Sequence, residues 1–244
     1  MKLNPIYLLL TISLIVINII PTTSYCKSKT DSTVILSGLS SFNGIHLSSS
    51  VVAKITIKEG ATPEVKLSGS YEAFKYYRIK VDENILSIGL KMNTITNHDI
   101  TLYADIIMPT IQEVTTSGAS DLNINGLINA SKLNITASGS SDVNIDNINV
   151  TRLDVSASGS SDIIIKNGTA SKAEYALSGS TDLSAYNLVS QTVIVRASGA
   201  SDCKVNVTKT LDVALSGSSS AKYKGHPENI EQSISGGGEL KQGE

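Results

Sequence analysis

Apolar and polar residues alternate one for one along most of this chain, the period of a strand with one buried face. Leu133, Ile135 and Ala137 are interleaved with Asn134 and Thr136; Leu153, Val155 and Ala157 repeat the phase, and so do Val193, Val195 and Ala197. A second set of strands carries Leu122 and Ile124, Val143 and Ile145, Ile163 and Ile165, then Cys203 and Val205. Between the two sets lies a five-residue corner. Ser117-Gly118-Ala119-Ser120-Asp121 recurs as Ser138-Gly139-Ser140-Ser141-Asp142, Ser158-Gly159-Ser160-Ser161-Asp162, Ser178-Gly179-Ser180-Thr181-Asp182 and Ser198-Gly199-Ala200-Ser201-Asp202. Degenerate copies follow at Ser216-Gly217-Ser218-Ser219-Ser220 and Ser235-Gly236-Gly237-Gly238-Glu239, and successive glycines are 21, 20, 20, 20, 18 and 19 residues apart.

Self-similarity at a fixed short period is the mark of a solenoid. The unit reads strand, Ser-Gly corner, strand, closing loop, with no helical period and no room for a crossover helix. Such a unit pairs with its next copy only by winding round one coil. Roughly 20 residues at about 3.3 Å each give a perimeter near 66 Å, a narrow prism holding one aliphatic layer. Coils stacked about 4.8 Å apart place like residues above like. The pattern predicts an all-β fold, a parallel β-helix (single-stranded β-solenoid) of about seven regular coils. An antiparallel sandwich would show turn signals every 8 to 12 residues without this register.

Residues 33 to 110 lack the corner register but carry strand patterns at Phe42 to Leu47, Val51 to Lys58, Glu64 to Leu67, Arg78 to Val81, Ile85 to Leu90 and Ile100 to Met108. Asp82-Glu83-Asn84 reads as a hairpin turn, Ser68-Gly69-Ser70 as a degenerate corner, and Tyr71 to Tyr77 as one short helical turn. This half is expected to begin the same solenoid less regularly and to serve as its cap. The expected organisation is 1–26 signal peptide, 27–37 short linker, 38–240 β-helix (38–110 irregular, 111–240 regular coils) and 241–244 tail.

The signal reading rests on Lys2, an apolar run from Ile6 to Ile20, and the small residues Thr22, Thr23 and Ser24 after Pro21. The run is shorter than the roughly 20 residues that span a bilayer, and no second apolar segment follows, so no membrane span is expected after cleavage. Cys26 stands where a bacterial lipoprotein carries its lipid, although Thr23-Ser24-Tyr25 departs from the usual approach to such a cysteine; a lipid tether is a candidate. Cys203 is the only other cysteine. It fills a slot taken elsewhere by Leu, Val or Ile, so it reads as a small buried hydrophobe rather than a reactive thiol.

Composition narrows the chemistry. Aromatics are 5% of the chain, with Trp 0 and Phe 2, which points to a thin core of Ile, Val, Leu and Ala; the 36 serines belong to corners and outer faces. A formal net charge of -2 with 17% charged residues gives no footprint for nucleic acid. Stacking places Asp121, Asp142, Asp162, Asp182 and Asp202 in one row. Carboxylates about 5 Å apart repel by roughly 1 kcal/mol in water and about 3 kcal/mol at an effective dielectric of 20. Either backbone and Ser donors hold them, the favoured reading, or cations such as Ca²⁺ lie between them. No cofactor is implied. Asn123, Asn125, Asn144 and Asn147 offer a flat polar face to a glycan, against the simpler reading that an outer strand face must be polar. Tyr71, Phe74, Tyr76 and Tyr77, beside Lys75 and Arg78, are a candidate ligand-binding patch or a seal for the end of the core.

The export signal, the Phe42-Asn43-Gly44-Ile45 strand, the pair Arg78-Ile79-Lys80-Val81 and Leu86-Ser87-Ile88, the recurring Ser-Gly corners and the closing Ser235-Gly236-Gly237-Gly238 together resemble the putative auto-transporter adhesin, head GIN domain family over roughly residues 38 to 240. The resemblance implies a right-handed parallel β-helix in a Bacteroidetes-type bacterium, placed in the periplasm, outer membrane or cell surface. It supplies no catalytic residues.

The function expected is an exported, non-enzymatic adhesin-like module contacting a glycan or a cell-surface protein. The alternatives are a polysaccharide-cleaving enzyme using paired Asp residues and a Ca-binding solenoid. Against an enzyme, His46, His98 and His226 are scattered, Arg occurs only at Arg78, Arg152 and Arg196, no Gly-x-Ser-x-Gly turn occurs, and the coils lack the long loops that build a cleft.

Overall fold

A computed structural model of the protein describes residues 32–36, 38–91, 94 and 100–243. The expected signal segment, Cys26 and His98 lie outside these residues. Of the described residues 68% are strand, in a parallel β-solenoid of about 6 turns with coils about 20 residues apart. Seven corner glycines, Gly118 through Gly236, bound six turns, one fewer than the seven coils expected by counting motifs.

The N-terminal elements are β1 (Ser32–Leu36), β2 (Gly44–Leu47), β3 (Val51–Ile57), β4 (Glu64–Gly69), α1 (Tyr71–Tyr76), β5 (Tyr77–Asp82), β6 (Ile85–Leu90), β7 (Leu102–Met108) and β8 (Glu113–Thr116). The regular coils follow as β9 (Asp121–Ala137), β10 (Asp142–Ala157), β11 (Asp162–Leu177), β12 (Asp182–Ala197), β13 (Asp202–Leu215), β14 (Ser220–Lys224), β15 (Asn229–Ile234) and β16 (Glu239–Gln242). Each long strand bends round the prism and pairs in parallel with the next, Asp142 lying between Asp121 and Asp162, and Leu153 between Leu133 and Ala173.

Alternation fills the interior. Leu122, Val143, Ile163, Leu183 and Cys203 form one buried row, and Ile135, Val155, Tyr175, Val195 and Val213 another. Burying each large aliphatic side chain contributes about 1.5–3 kcal/mol. Rings are not kept out as the composition suggested: Tyr175 is fully buried, and in the same coil the neighbouring inward position shrinks from Leu133 and Leu153 to Ala173. Cys203 is buried and free, and burial pushes its thiol far above the ordinary range, which leaves almost no thiolate to react.

The corner explains its own composition. Gly159 has φ +86, and a Cβ there would stand 2.4 Å from the Gly139 carbonyl oxygen of the coil beneath. That closeness lets the Ser160 N–H donate to the Gly139 oxygen at 2.8 Å. The fourth residue points inward: the hydroxyls of Ser120, Ser141, Ser161, Thr181, Ser201 and Ser219 each donate to the carbonyl three residues back, at 2.7 to 3.2 Å. All six are fully buried, so each hydroxyl has to find its partner within the protein, and the corner carbonyl supplies it.

The N-terminal half belongs to the same stack, but out of chain order. β2 and β3 form a coil whose inner neighbours are β8 and β9 and whose outer neighbours are β6 and β7. Its corner is Ser48-Ser49-Ser50, where Ser49 takes the left-handed φ, at +77, that glycine takes in the regular corners. Outside β6 and β7 the direction reverses: β5 pairs antiparallel with β6 through Glu83 and Asn84, and β4 pairs antiparallel with β7. β1 continues that antiparallel edge on β4, so residues 32–36 of the expected linker are a strand, with Val34 and Leu36 turned toward the core. Ser68-Gly69-Ser70 is not a corner; Ser70 caps α1, its side chain accepting from the Ala73 N–H at 3.2 Å.

Candidate binding surface

The corner aims the Asp row outward. Each Asp opens a strand directly after the buried Ser or Thr, so its carboxylate stands on the outer face, stacked on the Asp of the next coil. The expected clasp by Ser donors is seen only at the end of the row, where Ser220 donates to Asp202 at 2.5 Å. Elsewhere the hydroxyls serve the corner carbonyls. Asp162 keeps one backbone N–H, that of Asp182, yet its carboxyl is held above the ordinary value by burial and by the charges of Asp142 and Asp182. Burial and Asp142 likewise raise Asp121. Among the described residues, no group of three or more His, Cys, Asp or Glu side chains is placed to hold a metal ion.

The four clustered aromatics separate. Tyr77 is buried, and its hydroxyl donates to the carbonyls of Ser50 at 2.7 Å and Ile100 at 3.0 Å, so it pins the outermost coils and is not available to a ligand. Phe74 packs against the core. Tyr76 is half-buried, with the Lys75 ammonium 5.3 Å from its ring centroid. Tyr71 alone stands out, 72% exposed. Helix α1 causes the split, since successive residues on a helix face different ways.

Of the expected amide face only Asn123 and Asn144 pair in register with each other, whereas Asn125 pairs with Thr56 and Asn147 with Leu127 and Asn167. A second polar site, a shallow groove, lies on the middle segment. Asn129, Asn149, Thr169 and Val189 stack there, with Thr151, Ser171 and Gln191 along the second wall, around a groove of about 450 Å³. Asn149 donates to Asn129 at 3.4 Å and Thr169 donates to the Asn149 amide oxygen at 2.9 Å. The floor is small, with Ala130, Val150 and Ala170. These neutral amides and hydroxyls carry no motif of their own; their signal in the sequence is the interval of 20 from Asn129 to Asn149 to Thr169.

A third face carries paired charge. Lys132, Asp154, Arg152, Glu174 and Lys172 form an unbroken chain of ion pairs across three coils, with distances of 3.2, 2.9, 2.9 and 2.5 Å. Burial alone would raise Asp154, but hydrogen bonds from Arg152 and Lys132 hold it below the ordinary range. Arg196 and Asp212 add a separate pair. His46 and His226 are exposed on different coils.

These features define a parallel β-solenoid that carries its polar chemistry on flat or shallow outer faces rather than in a cleft. A family model for the putative auto-transporter adhesin, head GIN domain, matches residues 41–227, and the chain belongs to that family. Among solved structures it is similar to a putative adhesin from Bacteroides fragilis, at 24% identity and TM-score 0.81 over 88% of this chain and 98% of that one. A putative adhesin from Parabacteroides merdae matches at 20% identity and TM-score 0.71, over 88% and 96%. A putative lipid binding protein from Parabacteroides distasonis matches at 19% and 0.68, over 88% and 97%. Comparison with curated proteins found no match.

Proposed function

We propose that the protein is an exported, non-enzymatic adhesin-like module that binds a neutral glycan in the groove built by Asn129, Asn149 and Thr169. The groove carries the reading: paired amide and hydroxyl groups repeat at coil spacing over small side chains, which suits the hydroxyls of an extended sugar chain and leaves no acid or base at the bonds between sugars. Family membership and the adhesin descriptions of similar structures support a role at the cell surface. Tyr71 is a second contact candidate at the far end of the molecule.

A glycan array with the exported chain tests this. Specific binding that falls at least about ten-fold in Asn149→Ala and Thr169→Ala, and is unchanged in Asp162→Asn, supports the groove. A blank array, or binding indifferent to both groove variants, refutes it. Export itself is tested by cell fractionation and by the mass of the mature N-terminus, where a diacylglycerol adduct on Cys26 would establish the lipid tether.

A further inference from the structure

The two ends of the solenoid are finished differently. At the N-terminal end the coil of β6 and β7 is followed by the antiparallel strands β1, β4 and β5 and by α1, the kind of cap a solenoid needs over its last core layer. At the other end β15 pairs with β13, and among the described residues no strand lies on its outer edge. Its inward row, Ile230, Gln232 and Ile234, stands over Leu211, Val213 and Leu215, and Ile230 and Ile234 are left 44% and 39% exposed. The Ser235 N–H, in phase with Glu231 and Ser233, donates to the Leu215 carbonyl of the coil beneath. Alternate residues of a strand bond to opposite sides. Asn229, Glu231 and Ser233 therefore turn their N–H and C=O groups to β13, and Ile230, Gln232 and Ile234 turn theirs to the open edge. An open edge beside an uncovered core row is a template for another strand.

We propose that the strand it receives is β15 of a second copy, the two solenoids stacked end to end as an isologous dimer. The two-fold axis lies in the plane of the end, perpendicular to β15 and normal to its sheet, level with Gln232. It turns one solenoid over onto the end of the other, runs the two strands antiparallel and keeps inward side chains inward. Gln232 then meets its own equivalent, and Ile230 meets the second copy's Ile234, each pair exchanging both backbone bonds. Inside, the isoleucines cover one another and the two amides lie side by side, donor to acceptor. Outside, Glu231 falls opposite Ser233. Sliding the pair by one residue sets inward positions on outward ones. Centring it on Glu231 brings two carboxylates together, and centring it on Ser233 sets Gln232 on Ile234 and runs Ile230 past the end of the strand. Backbone, core and charge thus agree on one register. The shape of the end agrees as well: β16 stands one coil above β14, whereas no strand lies above the segment 225–228 that joins β14 to β15. The axis exchanges those two walls, so the raised strand of each copy enters the recess of the other.

A prism end of about 66 Å perimeter covers roughly 400 Å² per copy, less than a standard interface, so the dimer is weak, with a Kd of about 10–100 µM. Sedimentation equilibrium of the purified chain from about 1 µM to about 1 mM is expected to show monomer and dimer and nothing larger. Ser233→Lys sets a cation opposite Glu231 at both symmetric contacts and should tighten the dimer at least about three-fold; Ser233→Glu should loosen it by about as much, and both effects should shrink in high salt. Gln232→Pro removes an N–H that faces solvent in the monomer, so it should abolish the dimer with little change in the Tm of the monomer. Ser233→Pro removes an N–H bonded to β13 and should lower that Tm, which checks the phase of the edge. A chain that stays monomeric to about 1 mM overturns the proposal and leaves the edge to a strand of another protein. Species larger than a dimer overturn it too, because head-to-tail stacking does not close. So does a dimer that Ser233→Lys and Ser233→Glu move in the same direction.

Discussion

The hydroxyl of Ser120 donates to the carbonyl of Ser49 at 2.9 Å, across 71 positions of sequence. The corner ladder therefore extends without a break into the N-terminal half, where no Ser-Gly motif announces it. Every corner in the stack depends on the backbone of the one beneath.

Gly159→Ala places a methyl group 2.4 Å from the Gly139 oxygen at a left-handed φ. The loss expected in urea unfolding is about 3 kcal/mol or more, combining backbone strain of about 1–3 kcal/mol with displacement of the coil below. Gly60→Ala separates the two effects, since Gly60 has φ +72 but nothing within 4 Å; its cost should stay near 1 kcal/mol.

Tyr77→Phe removes the hydroxyl shared by the Ser50 and Ile100 carbonyls. Both acceptors lose a partner under the outermost coils, and destabilisation of about 1–2 kcal/mol is expected by thermal or urea unfolding. A larger loss in Tyr77→Leu than in Tyr77→Phe would show that the ring, as well as the hydroxyl, holds the cap.

Thr116→Val should stabilise the protein. Thr116 occupies an inward slot between Leu47 and Ala137, is fully buried, and its hydroxyl finds no hydrogen-bond partner in the protein. Removing an unsatisfied buried hydroxyl is worth about 1 kcal/mol, read as a rise in Tm; a fall would mean that a bound water serves it.

The two carboxylate environments give opposite pH signatures. Asp121 and Asp162 are raised in the folded state, so folded protein binds those protons more readily than unfolded chain. Their effect on stability is absent below the ordinary carboxylate value and becomes a penalty as pH rises through the raised one. Asp154 is lowered, so its stabilisation is present above the ordinary value and is lost as pH falls through the folded one. Asp162→Asn is expected to raise Tm at pH 7, the gain vanishing by about pH 3, whereas Asp154→Asn lowers Tm at pH 7. Ca²⁺ against chelator should leave the wild-type melt unchanged; a clear upward shift would assign the Asp row to cations.

The regular coils were legible because every level of the sequence agreed on them: alternation gave the faces, glycine the corners, and the interval of about 20 the stacking. The hairpin at Glu83 and Asn84 and the turn of helix at Tyr71 were legible for the same local reasons. The placement of β6 and β7 outside β2 and β3 was not, since pairing between distant strands leaves no periodic trace. Ser49 gives no corner signal in the sequence, because a serine rarely accepts a left-handed φ. Among the candidate sites, the Asp row was foreseen in register but not in its lack of donors. Whether a hydroxyl serves a carboxylate or its own corner depends on which way it points. Tyr77 and Tyr71 looked alike in sequence and differ only through the helix between them.

The interleaved coil also governs the order in which the molecule can form. β2 and β3, residues 44 to 57, lie between β6 and β7 on one side and β8 and β9 on the other, and all four partners come later in the chain. A polypeptide emerging from its N-terminus cannot complete that coil until residue 125 has appeared. The regular coils can therefore form first, with the cap closing backward onto them.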